Sequence, residues 1–148
     1  MNQVFPIPFE SIKVGMEAIH KKIIRSQDIS DFAGISDDFN PIHFEDAYAK
    51  AMGFGKRIAH GMISSSIFSG IYATKMPGPG CLIMSQSFKY KRPVYIDDEV
   101  TATVRVSSVN INRRVLKFLT TCETGGELVI SGEAQIFVPV SKESERTS

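Results

Sequence analysis

Residues 63–75 read ISSSIFSGIYATK, a run that contains no proline and consists almost wholly of apolar and small residues. A helix that is apolar on nearly all sides is a buried helix, and small side chains allow a sheet to lie close against it. The run therefore predicts one long helix at the centre of the fold.

The chain takes on a β pattern after residue 80. Val100, Ala102, Val104 and Val106 recur at every second position, as in a strand with one buried face. Turn signals separate four predicted strands, which are Cys81–Arg92, Glu99–Asn110, Arg114–Glu123 and Glu127–Val138. We expect these strands to be neighbouring antiparallel strands joined by hairpins.

The segment before the central helix adds one strand and two short helices. An extended segment through Gly15 leads into a strand over residues 16–25. Ser26 is the predicted N-cap of a helix that ends near Gly34, and a second helix covers residues 47–52. The pattern indicates an α+β fold in which an antiparallel sheet curls around one helix. We expect a single domain over residues 1–140 and a disordered polar tail over residues 141–148.

The composition is that of an ordinary globular protein, with 43% apolar and 22% charged residues and a formal net charge of +1. This near-neutral balance argues against a nucleic-acid partner. We identify no signal peptide and no apolar run long enough to cross a membrane. Cys81 and Cys122 lack metal-type spacing, so we expect reduced thiols in a cytoplasmic protein. The open edges of the predicted sheet favour a homodimer.

Residues 35–43 read ISDDFNPIH and place acids, an amide and an imidazole in one short segment. Pro41 lacks a main-chain donor and biases Asn40 away from the α region, so we expect a turn that holds these side chains in fixed directions. An ordinary surface turn uses the same residue types. The segment alone therefore leaves a structural and a functional interpretation open.

Residues 36–43, SDDFNPIH, and residues 59–62, AHGM, together resemble the hydratase motif of the MaoC-like (R)-specific 2-enoyl-CoA hydratases. The resemblance extends from about residue 24 to about residue 138 and includes FKYKRPV at residues 88–94. It implies the hot-dog fold, in which a sheet wraps around a central helix and two copies join edge to edge. It also implies a hydratase and dehydratase that interconverts trans-2-enoyl-CoA and (R)-3-hydroxyacyl-CoA.

The chain departs from the family pattern at Asp37, where the family usually has glycine. Of the two adjacent acids we choose Asp38, because it keeps the family's spacing to Asn40 and His43. Hydration requires a group that deprotonates the water attacking C3 and a proton for C2, which suit a carboxylate and an imidazole. The resemblance implies Asp38 and His43 as this pair, with Asn40 orienting the water or Asp38. Which of the pair is the base stays open.

The reaction also places negative charge on the thioester oxygen. The resemblance favours the main-chain amide of Gly61 as its donor over a role in packing alone, and we expect His60 to be structural. Ser65 or Ser66 is a candidate contact for the acyl group or the water, although close packing of small residues along the helix is the explanation that we favour for both. Basic residues should bind the phosphates of coenzyme A, and the candidates are Lys56, Arg57, Lys89, Lys91 and Arg92. The alternative is that these side chains are ordinary solvated surface residues. We expect no metal and no cofactor beyond the coenzyme A or phosphopantetheine that the substrate carries.

Three other functions stay open. The same chemistry in the dehydration direction would make the protein an (R)-3-hydroxyacyl-[acyl carrier protein] dehydratase, with acyl carrier protein as a partner. A hot-dog protein can also be an acyl-thioester hydrolase or a non-catalytic acyl-CoA binder. The sequence does not predict the acyl chain length.

Overall fold

The computed structural model describes residues 6–142, which form five strands and three α-helices. The strands are β1 (Glu17–Ile23), β2 (Leu82–Tyr90), β3 (Glu99–Asn110), β4 (Val115–Thr124) and β5 (Glu127–Phe137). The helices are α1 (Ser26–Ser36), α2 (Asp46–Ala51) and α3 (Gly61–Thr74), with short 3-10 helices at Phe9–Ser11 and Pro41–His43.

The strands form one antiparallel sheet in the order β1-β3-β4-β5-β2. Hairpins join β3 to β4 and β4 to β5, as predicted. The prediction that all four later strands are sequential neighbours is wrong for β2, which pairs with β5. The reason is that β1 takes the other edge of β3, from Glu17 opposite Arg105 to Ile23 opposite Glu99. The connection from β2 to β3 therefore passes from one edge strand of the sheet to a strand near the other edge.

The long central helix is confirmed as α3, which packs on one face of the sheet. Phe68 is fully buried and stacks on Phe88 of β2, with 5.6 Å between the ring centroids. Tyr72, one turn further along, packs on Phe118 of β4 at 5.1 Å. The opposite side of α3 is exposed in the single chain, where Met62 keeps 61% of its surface. This is the α+β hot-dog arrangement that the sequence predicts.

The start of α1 differs from the prediction by one residue. Arg25 is the N-cap, and Ser26 is the first helical residue. The carboxylate of Asp28 accepts a hydrogen bond from the main-chain N–H of Arg25 at 2.7 Å. The hydroxyl of Ser26 accepts instead from Nη2 of Arg57, at 2.6 Å. The polar side chain at 26 therefore ties a distant loop to the helix rather than capping it.

Two further local predictions need correction. The N-terminal segment is not wholly extended, because Phe9–Ser11 form a 3-10 helix and Phe9 is buried. Helix α1 continues beyond Gly34 to Ser36. The predicted disordered tail lies outside the described residues from residue 143 onward.

Cys81 and Cys122 are free thiols, as predicted. Burial raises the pKa of the Cys122 thiol to about 12, so it is protonated at neutral pH. Within residues 6–142, no helix combines the length and the apolar character needed to cross a membrane.

Candidate active site

Asp37 ends α1 in the left-handed conformation, with φ 59° and ψ 18°, and its N–H donates to the carbonyl of Ala33 at 2.9 Å. Glycine enters this region without steric cost, and aspartate is one of the few other residues that tolerate it. The departure from the family glycine therefore preserves the backbone geometry that ends the helix. The side chain of Asp37 is exposed, and the next residue turns toward two histidines.

The carboxylate of Asp38 lies beside both of these histidines. Its Oδ2 is 3.9 Å from Nε2 of His43 and 4.0 Å from Nε2 of His60. Its Oδ1 accepts a hydrogen bond from the main-chain N–H of Asn40 at 3.1 Å. The main-chain N–H of Asp38 donates to Oγ of Ser36 at 3.2 Å. The carboxylate is thus held by its own turn while its side chain stays 45% exposed.

Asn40 supports the site through both its main chain and its side chain. Its ψ of 125° is extended, as expected before Pro41, and its side-chain oxygen accepts from the N–H of Ile42 at 3.3 Å. The side chain therefore caps the 3-10 helix that carries His43. We expected Asn40 to orient the water or Asp38, and the contact with Asp38 comes from its main-chain amide.

His43 is 6% exposed, and the structure defines its tautomer. Its Nδ1 lies 2.8 Å from the carbonyl oxygen of Ile58, which can only accept, so Nδ1 carries the proton. Burial is the main cause that lowers the pKa of His43. The bond to Ile58 opposes this, His60 adds to the lowering, and Asp38 opposes it. The ring is therefore neutral at pH 7, and its Nε2 presents a bare lone pair toward Asp38.

His60 is 2% exposed and holds the turn against the start of α3. Its Nε2–H donates to the main-chain oxygen of Asp38 at 2.9 Å, and its ring lies on that of His43 with 3.8 Å between centroids. These contacts agree with the structural role that we expected. Ligand-type atoms of Asp38, His43 and His60 lie within 4.8 Å of one another. Because Nε2 of His60 already donates to a carbonyl, the lone pair of this ring is on Nδ1, which is buried and has no hydrogen-bond partner within the described residues.

Gly61 is the first residue of α3, so its amide has no acceptor within the helix and lies at the positive end of the helix dipole. A Cβ at this position would lie 2.8 Å from Cδ1 of Tyr90. The ring of Tyr90 therefore leaves no room for a side chain at Gly61. Packing alone accounts for the glycine, and the role of its amide in binding an oxygen stays a prediction.

His43 and Gly61 line the same cleft, which has a volume of about 450 Å³. We call the part of the cleft that exposed residues line its open end, and the part that buried residues line its buried end. The buried lining residues besides His43 are Ile58, Ala59, Ser64, Val94 and Val129. The exposed ones include Met62, Lys91, Arg92 and Pro93.

Ser65 does not line this cleft. Its hydroxyl contacts the carbonyl of Met62 at 3.2 Å and the hydroxyl of Tyr90 at 3.0 Å. Tyr90 and Ser64 do line it, and neither is among the site residues predicted from the sequence. Tyr90 could have been found from strand alternation, because it lies two residues after the inward-facing Phe88. Ser64 could have been found from helical spacing, because it lies one turn after Gly61.

The predicted basic residues separate into two groups. Arg92 lines the open end of the cleft, as does Lys91, and Arg92 also lies 3.3 Å from the carboxylate of Glu127. Lys89, Lys56 and Arg57 do not line the cleft. Lys89 borders a different groove, because side chains alternate between the two faces of β2.

Lys56 and Arg57 make their contacts outside the cleft. The ammonium group of Lys56 lies 5.2 Å from the ring centroid of Tyr95. The main-chain N–H of Arg57 donates to the carboxylate of Asp46 at 2.9 Å, and its guanidinium binds Ser26. Both residues thus hold the loop between α2 and α3 in place.

The fold and the site define a hot-dog protein with a carboxylate–imidazole pair beside the start of its central helix. The chain belongs to the MaoC-like family, since the profile described as "MaoC like domain" matches residues 9–126.

Two relatives and one solved structure agree with this assignment. The chain is 46% identical to an (R)-specific enoyl-CoA hydratase of Rhodospirillum rubrum over 88% of this chain and 91% of that protein. It is 39% identical to a 3-hydroxybutyryl-CoA dehydratase of Methylorubrum extorquens, over 93% and 87%. The solved (R)-hydratase from A. caviae involved in PHA biosynthesis aligns with a TM-score of 0.85 at 37% identity, over 88% of this chain and 99% of that one.

Proposed function

We propose that this protein is a hydro-lyase that reversibly adds water to a trans-2-enoyl-CoA to give the (R)-3-hydroxyacyl-CoA. One observation carries the proposal. Oδ2 of Asp38 and Nε2 of His43 are both acceptors and lie 3.9 Å apart, beside a cleft whose wall includes Gly61. The names of the related proteins point to the same reaction and to the (R) product.

The separation of the two acceptors suits a water molecule between them. A water can donate one proton to the carboxylate of Asp38 and the other to Nε2 of His43, since both distances can then be close to 2.8 Å. Both of its protons are then directed toward protein atoms. Its lone pairs are left to attack C3 of the substrate.

His43 is the proposed base, because its Nε2 is an unprotonated acceptor beside the water, and Asp38 lies close enough to stabilise the imidazolium that proton transfer would form. As the C3–O bond forms, Nε2 takes a proton from the water, and the C2–C3 double bond shifts its electrons onto the thioester carbonyl. The carboxylate of Asp38 stabilises the imidazolium that results. The imidazolium then gives its proton to C2 as the enolate returns to a thioester, so one water is added and the enzyme is unchanged.

The charge on the thioester oxygen requires a donor that is in place before the reaction begins. The free amide of Gly61 at the start of α3 suits this role, and the helix dipole favours negative charge there. Lys91 and Arg92 at the open end of the cleft suit the phosphates of coenzyme A. The proposed steps use side chains and a helix amide alone, so they call for no metal ion and no separate cofactor.

The proposal includes a homodimer joined through β2. Within residues 6–142 only β5 pairs with β2, and this strand exposes 57% of Leu82, 41% of Ile83 and 59% of Met84. An apolar edge strand favours pairing with a second copy. Sedimentation velocity should give twice the chain mass for the wild type and a smaller species for Met84→Lys. A wild-type monomer would contradict the dimer.

We also propose a cytoplasmic location, because the free thiols of Cys81 and Cys122 fit a reducing compartment.

The activity is tested by incubating the purified protein with trans-2-enoyl-CoA of several chain lengths. We expect loss of the enoyl absorbance, no release of thiol, and a product that an (S)-specific 3-hydroxyacyl-CoA dehydrogenase does not oxidise. Release of thiol would instead indicate a thioester hydrolase. Turnover of matched acyl carrier protein substrates alone would indicate the carrier-protein dehydratase. If neither the coenzyme A nor the acyl carrier protein thioesters react, the protein would instead be a non-catalytic acyl-thioester binder.

A further inference from the structure

Ser64 is a buried polar residue that the proposed mechanism does not use. It is 1% exposed, and within the described part of the chain its hydroxyl has no hydrogen-bond partner. The next two serines of α3 differ, because Ser65 donates to the carbonyl of Met62 and Ser66 to that of Ile63. A buried hydroxyl without a partner is costly and calls for an acceptor that the protein itself does not supply.

The position of Ser64 relates this hydroxyl to the bound substrate. Ser64 lines the cleft together with His43 and Gly61, and these two are the proposed contacts of the reacting atoms. Side chains three residues apart lie on the same side of a helix and lean toward its N-terminus. The Cα atom of Ser64 is therefore displaced from that of Gly61 along α3 by about 4.5 Å, roughly the span of three or four bonds of an acyl chain.

The direction in which the acyl chain runs follows from the two ends of the cleft. The coenzyme A portion is too large and too charged for the buried end, so it leaves through the end that Lys91 and Arg92 line. The acyl group then extends toward Ser64 and Val129. Besides His43, Ser64 supplies the one polar side chain among the buried lining residues.

We propose that Ser64 is a specificity-determining residue that selects acyl thioesters carrying a hydrogen-bond acceptor at about the fourth or fifth atom of the acyl chain. A plain alkyl chain at this place would keep the hydroxyl buried without a partner. An ether, hydroxyl or carbonyl oxygen would accept its hydrogen bond. The inference rests on the proposed function for the orientation of the substrate, but it concerns binding rather than the chemical step.

The experiment compares two saturated thioesters that cannot be hydrated, hexanoyl-CoA and 4-methoxybutanoyl-CoA. The two acyl groups have the same length, and an ether oxygen replaces the fifth carbon in the second. Their dissociation constants are measured by calorimetry for the wild type, for Ser64→Ala and for Ser66→Ala. Ser66 is the matched control, since its hydroxyl is satisfied within the helix and it does not line the cleft.

The preference for the ether, expressed as the ratio of the two dissociation constants, should be about tenfold greater in the wild type than in Ser64→Ala. Ser66→Ala should keep the wild-type ratio. Equal ratios in the wild type and Ser64→Ala would overturn the inference, as would an equal fall in both serine variants. Because neither ligand reacts, a preference found in a protein without hydratase activity would refute the proposed function and leave this inference standing.

Discussion

Replacement of Asp38 by asparagine removes a charge from the site and keeps the size of the side chain. The attraction between a carboxylate and an imidazolium 3.9 Å apart is about 4 kcal/mol at an effective dielectric constant of about 20. The side chain of Asp38 is 45% exposed, so solvent screening reduces this attraction to about 2 kcal/mol. This is the stabilisation of protonated His43 that the variant loses.

A second loss comes from the water itself. A hydrogen bond to a charged acceptor contributes about 1.5–3 kcal/mol, and the variant can place an amide nitrogen, which cannot accept, toward the water. Together the two effects amount to about 4 kcal/mol. We therefore expect Asp38→Asn to lower kcat/KM roughly a thousandfold.

The assay follows the enoyl absorbance for the wild type, Asp38→Asn and the matched control Asp37→Asn. Asp37 is adjacent and exposed, and asparagine also tolerates its left-handed backbone, so the control should stay within about twofold of the wild type. In denaturant titrations, the free energy of unfolding of both variants should equal that of the wild type to within about 0.5 kcal/mol. The reasoning is refuted if Asp38→Asn keeps more than about a tenth of the activity, or if Asp37→Asn loses as much as Asp38→Asn.

Three further predictions concern pH and glycine. The value of kcat/KM should fall as the pH is lowered, with a midpoint below pH 6.5, because burial lowers the pKa of His43 and the reaction needs the neutral imidazole. A midpoint above pH 6.5 would contradict this. Gly132→Ala should reduce the free energy of unfolding by about 3 kcal/mol in denaturant titrations, because its Cβ would lie 2.0 Å from a main-chain oxygen of β2. A Cβ at Gly34 in α1 would meet open space, so Gly34→Ala should raise the free energy of unfolding by about 0.5–1 kcal/mol. Equal effects of Gly132→Ala and Gly34→Ala would refute the packing argument. Gly61→Ala should lower kcat/KM, because the added methyl group would displace the ring of Tyr90. The double variant Gly61→Ala/Tyr90→Ala should have the same kcat/KM as Tyr90→Ala alone. A double variant as inactive as Gly61→Ala would contradict this.

Patterns within a segment predicted most of the fold. The apolar run at residues 63–75 correctly predicted α3, and the alternation from Val100 to Val106 correctly predicted the buried face of β3. The pairing of β2 could not be predicted in this way. It depends on which of two distant strands occupies the free edge of β3, and β1 does so. Competition of this kind is decided by the tertiary structure.

The candidate site shows the same division. The motif that contains Asp38 and His43 selected two residues that the fold brings within 3.9 Å of each other. The tautomer of His43 depends on the carbonyl of Ile58, fifteen residues away, and no local pattern indicates that contact. Helical spacing places Ser64 one turn after Gly61, but only the structure shows that its hydroxyl is buried at the cleft and lacks a partner within the described residues.

The central claim is that one water, held between Asp38 and His43, supplies both the hydroxyl at C3 and the proton at C2. The most direct test is hydration of trans-2-enoyl-CoA in heavy water, followed by NMR of the product to determine the configuration at both carbons. Because the water and the proton on His43 approach the same face of the substrate, the account predicts that deuterium and hydroxyl add to that face, giving the syn product with (R) configuration at C3. Anti addition would require a proton donor on the opposite face and would contradict the account.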